Sequence, residues 1–472
     1  MTENPDDELR RSTSQDLSDA SLERMFDQGR WSGFQVSVLC LTALAVILDG
    51  LDNQALGFSL PVIMSEWNLG KQAFAPVLAV GQLGVMIGVV LGGIAGDRLG
   101  RKTCLIGSVV IFGATTVAIA GVHTVLPLAF FRLIAGCGIG GAFPNAAALV
   151  AEFTPLRRRS LAVTISIVCV PLGGVFGGLI AAAILPVQGW RALFLLAGTL
   201  SLIVALLLVF ALPESLRFLV RKGAGRARIL RTLEKIKQGI PAPATYAHVP
   251  LAEEEPAPPR GGILSRAYLR DTLLLWVAFL FTLAAIYIAF GWLPTMLTER
   301  GFDISTASSG LAAFNLGGVV IAVAGGWLVG RYGSRRVILL MAMAASASGA
   351  LLAAFPPAPS DAHLLVYAAL AIEGGFVNGV QTNLYALAAF IYPTAMRATG
   401  VGAASGAGRI GAISSSAIGA GVLALGGASG FHVLVALSLA AVALALLFIK
   451  RHDPGGAAPA LVSSLQNGRR NK

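Results

Sequence analysis

The sequence predicts an all-α polytopic membrane protein, with about twelve transmembrane helices in two pseudo-symmetric six-helix bundles. The first observation is composition: 56% of the 472 residues are hydrophobic and only 12% are charged, whereas soluble domains are about 25% charged. The mean hydropathy is +0.76. The second observation is that the apolar residues fall in blocks of about 20, the length with which a helix crosses about 30 Å of hydrocarbon. A soluble globular fold is therefore excluded.

The apolar blocks form two groups of six, separated by a long polar gap. The gap contains "RKGAGRARILRTLEKIKQG", predicted as a basic surface helix, and the Pro-rich linker "PAPATYAHVPLAEEEPAPPRGG". The chain is thus predicted to consist of a cytoplasmic N-terminal segment, a first bundle, a cytoplasmic linker, a second bundle and a cytoplasmic tail, at residues 1–30, 31–212, 213–271, 272–450 and 451–472. The spans are expected near 33–59, 73–95, 103–122, 126–151, 160–185, 191–212, 272–297, 306–330, 336–355, 363–391, 396–424 and 430–449.

The positive charges lie in alternate connections between the blocks. These connections carry "DRLGRK", "RRR", the basic linker, "RYGSRR" and the "KRH" tail. Short loops rich in Lys and Arg stay in the cytoplasm, so both termini are expected there, with the chain integral to the bacterial cytoplasmic (inner) membrane. The N-terminus lacks the basic region and short apolar core of a cleaved signal peptide, so the first span is expected to be retained. The net charge of +11 therefore needs no nucleic-acid partner.

Motifs for enzymatic chemistry, cofactors and metals are missing from the sequence. The four cysteines have no paired spacing, which argues against a disulfide framework or a zinc site. No GxxxxGK[ST], HExxH or CxxC pattern occurs, so the protein is not expected to be an enzyme, and a gradient rather than ATP must supply energy. A buried histidine proton relay is not expected, because the histidines are assigned to span ends, loops or tails: His123, His248, His363, His432 and His452.

An internal repeat relates the two halves. "GIAGDRLGRK" follows the second block, and "GWLVGRYGSRR" occupies the equivalent place in the second half, with Gly330 where the first copy has Asp97. Parallel halves related by an axis normal to the membrane are a known transporter plan. The loop, its degenerate copy and the 6+6 topology resemble the major facilitator superfamily. The resemblance implies an asymmetric latch between the halves, formed by Gly93, Asp97, Arg98, Gly100, Arg101, Arg331 and Gly333.

Two aspartates interrupt the first block, in "ILDGLDNQAL". Asp49 and Asp52 are three residues apart and share one helix face. Two carboxylates held close in a poorly hydrated site cannot both ionise easily, which suits a group that loads and unloads protons. The alternative is a pair of helix-end aspartates wetted by the periplasm. The D-G-x-D pattern resembles the aromatic acid:H⁺ symporter family within the superfamily.

The fourth block carries three polar residues that resemble the same family's pattern. Arg132 lies too deep to snorkel freely and is expected to face a cavity or a carboxylate. Asn145, which with Arg132 is a candidate for binding the substrate in a polar cavity, follows a glycine-rich stretch that lets helices approach closely. Glu152 lies near the cytoplasmic end, where it serves either proton coupling or a gate with the arginines at 157–159.

The eleventh block contains Arg397 at its cytoplasmic end and Arg409 near the bilayer middle. A guanidinium matches a carboxylate with two parallel hydrogen bonds, so both arginines are candidates for binding a substrate anion. A permanent salt bridge from Arg409 to Asp49, Asp52 or Glu373 is the alternative.

Further polar and aromatic residues are expected at hydrocarbon depth. Trp292 and Tyr287 supply either an aromatic wall or an interfacial belt. The tenth block carries Glu373, a candidate proton-coupling group. The remaining candidates for the wall of a polar cavity are Asn315, Asn378, Gln381, Asn383 and Tyr385. After the sixth block, "LPESLRFLV" predicts a cytoplasmic charge cluster of Glu214 and Arg217.

The resemblance implies a proton-coupled symporter that imports an aromatic carboxylate, of the hydroxybenzoate or benzoate type, by alternating access. Asp49 and Asp52 are then expected to lie opposite Arg409 across the cavity between the halves. The expected partners are the aromatic acid, protons and the lipid bilayer, with the chain acting as a monomer and with no cofactor. Two alternatives stay open: a carrier for another organic anion, sugar or drug, and a membrane sensor that does not transport.

Overall fold

The computed structural model of the protein describes residues 32–222 and 262–455. The predicted basic surface helix, the Pro-rich linker and most of the two terminal segments lie outside these ranges. The described helices are α1 Gly33–Trp67, α2 Lys71–Leu99, α3 Arg101–Ile119, α4 Val125–Phe153, α5 Leu156–Ala211, α6 Leu216–Arg221, α7 Leu269–Glu299, α8 Ile304–Tyr332, α9 Ser334–Ala354, α10 His363–Ile391 and α11 Thr394–Phe448. A short 3₁₀ turn, Gly262–Leu264, precedes α7.

Two of these helices are long enough to cross a bilayer twice. α5 has 56 residues and α11 has 55, or roughly 80 Å each at about 1.5 Å per residue. Each is broken by one glycine with non-helical backbone angles, Gly189 (φ 73°) in α5 and Gly427 (φ 53°) in α11. Ten of the described helices are long and apolar enough to span a membrane, and these two breaks turn them into twelve segments. The predicted fold class is confirmed, and both breaks fall in the predicted gaps between spans.

The ends of the helices follow ordinary capping chemistry. α1 begins with a capping box, in which Ser32 accepts from the backbone N–H of Gln35 and the Gln35 side chain accepts from that of Ser32. α8 begins after Asp303, whose carboxylate accepts hydrogen bonds from the hydroxyl and backbone N–H of Thr306 at 2.6 and 2.9 Å. These bonds stabilise the carboxylate and so lower the pKa of Asp303, and the bond from the Thr306 hydroxyl has the largest effect.

The internal repeat is visible in the backbone. Gly100 joins α2 to α3 with φ 105° and ψ 145°, and Gly333 joins α8 to α9 with φ 86° and ψ 152°. An L-residue with a side chain rarely adopts such positive φ values, so glycine is required at both turns. We define the basic side of the molecule as the helix ends that carry Gly100 and Gly333. The opposite side carries the ends of α1 and α7 at Trp67 and Glu299.

The packing of the helices shows the same pseudo-symmetry. In the first half α1 packs on α5 and α2 on α4, and in the second half α7 packs on α11 and α8 on α10. The two halves meet through α1 with α7, α2 with α11, and α5 with α8. The interface between halves is therefore lined by α1, α2, α5, α7, α8 and α11.

The halves are joined at the opposite side. Lys71 in α2 bonds Glu299 at the end of α7, with 2.5 Å between Nζ and Oε1. Gly57 in α1 approaches α7 so closely that an added Cβ would lie 1.9 Å from the carbonyl oxygen of Phe290. Towards the basic side, an added Cβ on Gly93 of α2 or Gly402 of α11 would meet nothing within 4 Å. The halves are thus in close contact at the opposite side.

The loop at Gly100 is held by three carboxylates, from α2, from α4 and from the connection between α5 and α6. Asp97 bonds Arg101 at 2.8 Å, within the same half of the molecule. Glu214 accepts a hydrogen bond from the backbone N–H of Lys102 at 3.0 Å, and Glu152 lies 3.6 Å from Nε of Arg101. The predicted cluster after the sixth span therefore includes Glu214 as a cap of the α2–α3 loop. The side chain of its predicted partner Arg217 lies outside the described residues.

Candidate functional site

The two aspartates of α1 are enclosed by the protein. α1 packs directly on α5, since an added Cβ on Gly50 would lie 2.1 Å from the carbonyl oxygen of Val170. Asp49 is 4% exposed and Asp52 is 1% exposed. α1 ends at Trp67, so Asp52 lies about 22 Å from that end at about 1.5 Å per residue. The alternative of wetted helix-end aspartates is wrong, because it placed the end of the span eight residues too early.

Asp52 is the anchored member of the pair. Its Oδ1 accepts a hydrogen bond from the hydroxyl of Thr116 in α3. Its Oδ2 lies 3.9 Å from Nη1 of Arg132 in α4, and the same guanidinium donates to the backbone carbonyls of Asp52 and Asn53 at 3.2 and 3.4 Å. Arg132 is 4% exposed; its two terminal nitrogens are held inside the first half by an opposite charge and two carbonyls, while its buried Nε donates no hydrogen bond among the described residues.

Asp49 is the unanchored member of the pair. Its Oδ1 is buried and has no hydrogen-bond partner. Among the described residues, no cation lies within 4 Å of its carboxylate. A buried carboxylate without an ion-pair partner is expensive to keep charged, and among the described residues Asp49 is the member of this pair that has no cation within 4 Å.

Arg409 takes part in a polar chain that crosses between the halves. Its Nη1 donates to the hydroxyl of Tyr287 at 2.8 Å, and the guanidinium carbon lies 5.7 Å from the centre of that ring. The Tyr287 oxygen also accepts from the amide of Asn53 in α1 at 3.2 Å. The side-chain carbonyl of Asn53 in turn accepts a hydrogen bond from the side-chain amide of Gln82 in α2 at 3.3 Å. The chain therefore connects α11 and α7 to α1 beside Asp52.

Arg409 has no carboxylate partner among the described residues. No salt bridge within 4 Å joins it to Asp49, Asp52 or Glu373, and its buried Nε donates no hydrogen bond. The alternative of a permanent salt bridge from Arg409 is therefore wrong for this conformation. The residue is partly exposed, which leaves hydrogen-bond donors of its guanidinium available for an incoming anion.

A second polar contact between the halves lies one residue further along α1. Asn315 in α8 donates to the side-chain carbonyl of Gln54 at 2.8 Å, and both side chains are fully buried. Gly174 of α5 makes room for them, since an added Cβ there would lie 2.3 Å from the Gln54 amide nitrogen. Asn315 is thus part of the contact between halves in this conformation.

Three predicted cavity amides are satisfied by helix backbones instead. Asn145 donates to the carbonyls of Gly92 and Gly141 at 3.0 and 2.8 Å. Asn378 and Asn383 each donate to the carbonyl one turn earlier in α10, at 3.0 and 2.8 Å. The bond from Asn145 to Gly92 joins two helices, and the bonds from Asn378 and Asn383 are made within α10. In this conformation these amide N–H groups therefore bond to backbone and not to a ligand.

The remaining predicted wall residues have mixed surroundings. Trp292 is fully buried, and its indole nitrogen donates to the carbonyl of Ser416 at 3.2 Å, so it fastens α7 to α11 and is not part of an interfacial belt. Tyr385 bonds Ser405 at 3.2 Å. Gln381 is 6% exposed and both of its amide atoms lack a partner. Arg397 is exposed at the basic side.

The other two predicted proton-coupling carboxylates lie in different settings. Glu152 accepts a hydrogen bond from the hydroxyl of Ser215 and lies beside Arg101 near the basic side. Glu373 bonds a histidine, His432, at 3.0 Å, and both side chains are fully buried. The expectation that no histidine is buried among the helices is therefore wrong, because α11 resumes directly after its break and carries His432 inside.

A separate pocket of about 660 Å³ lies at the opposite side. It is lined by ends of α1, α7 and α8, including Pro61, Glu66 and Thr298. None of the predicted substrate-binding residues contributes to it, so it is distinct from the polar chain around Arg409.

The fold and motifs identify the family. The sequence model described as "Major Facilitator Superfamily" matches residues 42–360 and 275–468. The chain belongs to the Major Facilitator Superfamily. It is accordingly a transporter-family protein and not an enzyme.

Several characterised relatives carry aromatic acids, as their names state. The chain is 37% identical to the 4-hydroxybenzoate transporter PcaK of Pseudomonas aeruginosa, over 89% of this chain and 93% of that protein. It is 37% identical to a gallate transporter of Pseudomonas putida, over 88% and 92%. It is 28% identical to a benzoate transport protein of Acinetobacter baylyi, over 89% and 90%. The chain is therefore a member of the aromatic acid transporter group.

A solved structure shows the same fold. The inward-open conformation of the xylose transporter XylE from E. coli superposes with a TM-score of 0.66, covering 89% of this chain and 98% of that chain. The sequence identity is 17%, so this likeness concerns the fold alone.

Proposed function

We propose that this protein is a proton-coupled symporter that imports an aromatic carboxylate, of the hydroxybenzoate or benzoate type, by alternating access. One observation carries the proposal. Among the described residues, the partly exposed cation Arg409 has no carboxylate within 4 Å, and it is linked through Tyr287 and Asn53 to the helix that holds Asp49, a buried carboxyl without an ion-pair partner within 4 Å. An anion and a proton are the two ligands that these groups lack.

The substrate end of the site is assigned to Arg409 and the rings near it. Tyr287 holds Nη1 and so orients the guanidinium, while Nε has no acceptor. A carboxylate supplies two acceptor oxygens in the geometry of the guanidinium fork. Tyr287 packs edge-on against Phe290 at 5.6 Å, which provides apolar ring surface for an aromatic substrate.

The proton end is assigned to Asp49, with Asp52 in support. Asp52 is compensated by Arg132 and Thr116, so its charge is tolerated throughout. A proton on Asp49 removes the uncompensated charge and lowers the cost of enclosing the site. Substrate at Arg409 and a proton at Asp49 would then allow the loaded carrier to close and rock between its two states.

The orientation follows from the distribution of positive charge. The basic side is assigned to the cytoplasm, with both termini there. The close contacts at the opposite side then seal the periplasmic end in this conformation. The same proposal places the two bundles at residues 31–212 and 272–450. It also assigns the Asp97–Arg101 loop the role of a latch between the halves.

The test is uptake of radiolabelled 4-hydroxybenzoate into vesicles with an imposed proton gradient. Accumulation is expected, and a protonophore should collapse it to equilibrium. Unlabelled benzoate and gallate should compete, whereas dicarboxylates and sugars should not. Competition by a sugar or an aliphatic acid alone would indicate a carrier for another substrate, and binding without flux would indicate a sensor.

Tyr287→Phe is expected to raise KM about tenfold with a smaller effect on kcat. The change removes the acceptor that orients Arg409, and a hydrogen bond to a charged group contributes about 1.5–3 kcal/mol. The measurement is the concentration dependence of initial uptake in proteoliposomes. Tyr332→Phe, at a residue 53% exposed at the basic side, is the matched control. An unchanged KM would show that Tyr287 does not position the guanidinium.

A further inference from the structure

Glu373 and His432 form a fully buried pair that the proposed transport mechanism does not use. Nδ1 of His432 lies 3.0 Å from Oε1 of Glu373, and both side chains are 0% exposed. Glu373 lies in α10, and His432 lies shortly after the break at Gly427, in the second arm of α11. In the part of the chain that the structure describes, Oε2 of Glu373 and Nε2 of His432 have no hydrogen-bond partner, so each group is bound there through one atom alone.

The pair lies within the second half, away from the interface between halves. α10 packs on α8 through Gly374, where an added Cβ would lie 2.2 Å from the carbonyl oxygen of Phe314. Glu373 reaches instead to the second arm of α11. Gly349 of α9 covers that arm, since an added Cβ there would lie 3.2 Å from the carbonyl oxygen of His432. The extensive contacts of α9 are with α8, α10 and α11, all in the second half, so the pair is separated from the site that opens between the halves.

No third charge compensates the pair. Among the described residues, neither group has another ionisable partner within 4 Å. The other titratable and charged side chains on α8, α9, α10 and α11 are held elsewhere or lie towards helix ends: Arg331 and Tyr332 in α8, Arg335 and Arg336 in α9, His363, Tyr367 and Tyr385 in α10, and Arg397 and Arg409 in α11. Phe431 contributes only an aromatic edge, 5.1 Å from the imidazole.

Charge neutrality requires one shared proton. A carboxylic acid against a neutral imidazole, and a carboxylate against an imidazolium, are both neutral as a unit. Each form holds one proton more than a carboxylate beside a neutral imidazole. Without that proton a full negative charge would be buried with no counter-ion among the described residues, which is unfavourable in a low-dielectric interior.

We propose that Glu373 and His432 form a second proton-binding site, whose proton is retained through the transport cycle and fastens α10 to the second arm of α11. The site is distinct from Asp49 and Asp52, which lie in the first half. Rocking of the halves leaves contacts within each half in place, so the pair is not opened to either side of the membrane. Glu373 is accordingly a structural group and not a coupling carboxylate.

The experiment compares three variants with the wild-type chain, by thermal unfolding in detergent and by 4-hydroxybenzoate uptake in proteoliposomes. Glu373→Gln keeps a neutral hydrogen-bonding pair and should retain accumulation with an unaltered pH profile. His432→Leu leaves the carboxyl without a partner and should lower both the unfolding midpoint and the yield, the latter several-fold. The double variant Glu373→Met with His432→Leu should recover both, because apolar residues commonly replace a buried polar pair without loss. His363→Leu, exposed at the start of α10, is the control and should unfold like the wild type.

Two results would overturn the proposal. If Glu373→Gln equilibrates substrate without accumulating it, Glu373 binds a transported proton. If the double variant unfolds as early as His432→Leu alone, the unpaired carboxyl is not the cause of the loss. The unfolding measurement needs no substrate, so it decides the question even if 4-hydroxybenzoate is not carried and the proposed function fails.

Discussion

Arg409→Lys is expected to lower kcat/KM for 4-hydroxybenzoate uptake by about 10- to 100-fold, because one charge-assisted hydrogen bond contributes about 1.5–3 kcal/mol. The positive charge is kept in this variant, so a lower kcat/KM would reflect the loss of the planar hydrogen-bonding geometry of the guanidinium. A lysine ammonium is a point charge and cannot hold Tyr287 and both oxygens of a carboxylate in one plane. Initial uptake rates over a range of substrate concentrations measure the effect.

The control for this variant is Arg270→Lys, at an exposed position near the start of α7. This variant should transport like the wild type, because Arg270 takes no part in the hydrogen bonds that join Arg409, Tyr287 and Asn53. A second comparison uses benzyl alcohol, which keeps the ring and lacks the carboxylate, as a competitor. It should compete weakly against both the wild type and Arg409→Lys. Undiminished transport by Arg409→Lys would remove Arg409 from the substrate site.

The number and placement of the spans could be predicted because each span carries its own signal. Hydrocarbon thickness fixes the length of an apolar block, and the glycines that break α5 and α11 lie between predicted blocks. The end of α1 could not be placed, because "LPVIMSEWNLG" continues helically past the apolar block as far as Trp67. Eight further residues changed Asp52 from a helix-end residue to a deeply buried one.

The pairing of polar groups was less predictable than their depth. Asp49, Asp52 and Arg132 were recognised as buried charges, but nothing in the spacing shows that Arg132 faces Asp52 while Arg409 faces Tyr287. Pairing depends on how helices rotate against each other, and that is decided by close contacts such as Gly50 on α5. The partner of Asn145 could not be predicted for the same reason: in this conformation its amide donates to the backbone carbonyl of Gly92 in α2.

The residues that were missed are uncharged or lie near a break. Thr116, Asn53, Gln54 and Gln82 resemble the many small polar residues that membrane helices tolerate, and only their contacts single them out. Two signals were available in the sequence. First, Asn53 and Gln54 directly follow the aspartates. Second, His432 lies shortly after Gly426 and Gly427, where the last span begins, and α9 already packs against this first turn of the span.

Asp49→Asn is expected to abolish accumulation of substrate against a gradient while leaving exchange intact. An inward gradient of one pH unit supplies about 1.4 kcal/mol per proton, which supports about tenfold accumulation for one proton per substrate. Asparagine has the shape of a protonated aspartate and cannot release a proton, so the variant should bring substrate only to equilibrium. Exchange of external label for internal unlabelled substrate needs no net proton movement and should persist. Both assays use the same proteoliposomes.

The comparison that makes this result specific is with Asp52→Asn and Asp361→Asn. Asp361 lies in the loop before α10, where its carboxylate accepts from the backbone of Ala358, and an amide there can still accept, so accumulation should be normal. Asp52→Asn leaves Arg132 as a buried cation without a counter-charge, and breaking such a pair costs about 3–5 kcal/mol. That variant should therefore give less folded protein. The Asp49 carboxyl has no ion-pair partner within 4 Å in the part of the chain that the structure describes. Asp49→Asn should therefore fold normally and lose only the coupling of transport to protons. Full accumulation by Asp49→Asn would place the transported proton on another group.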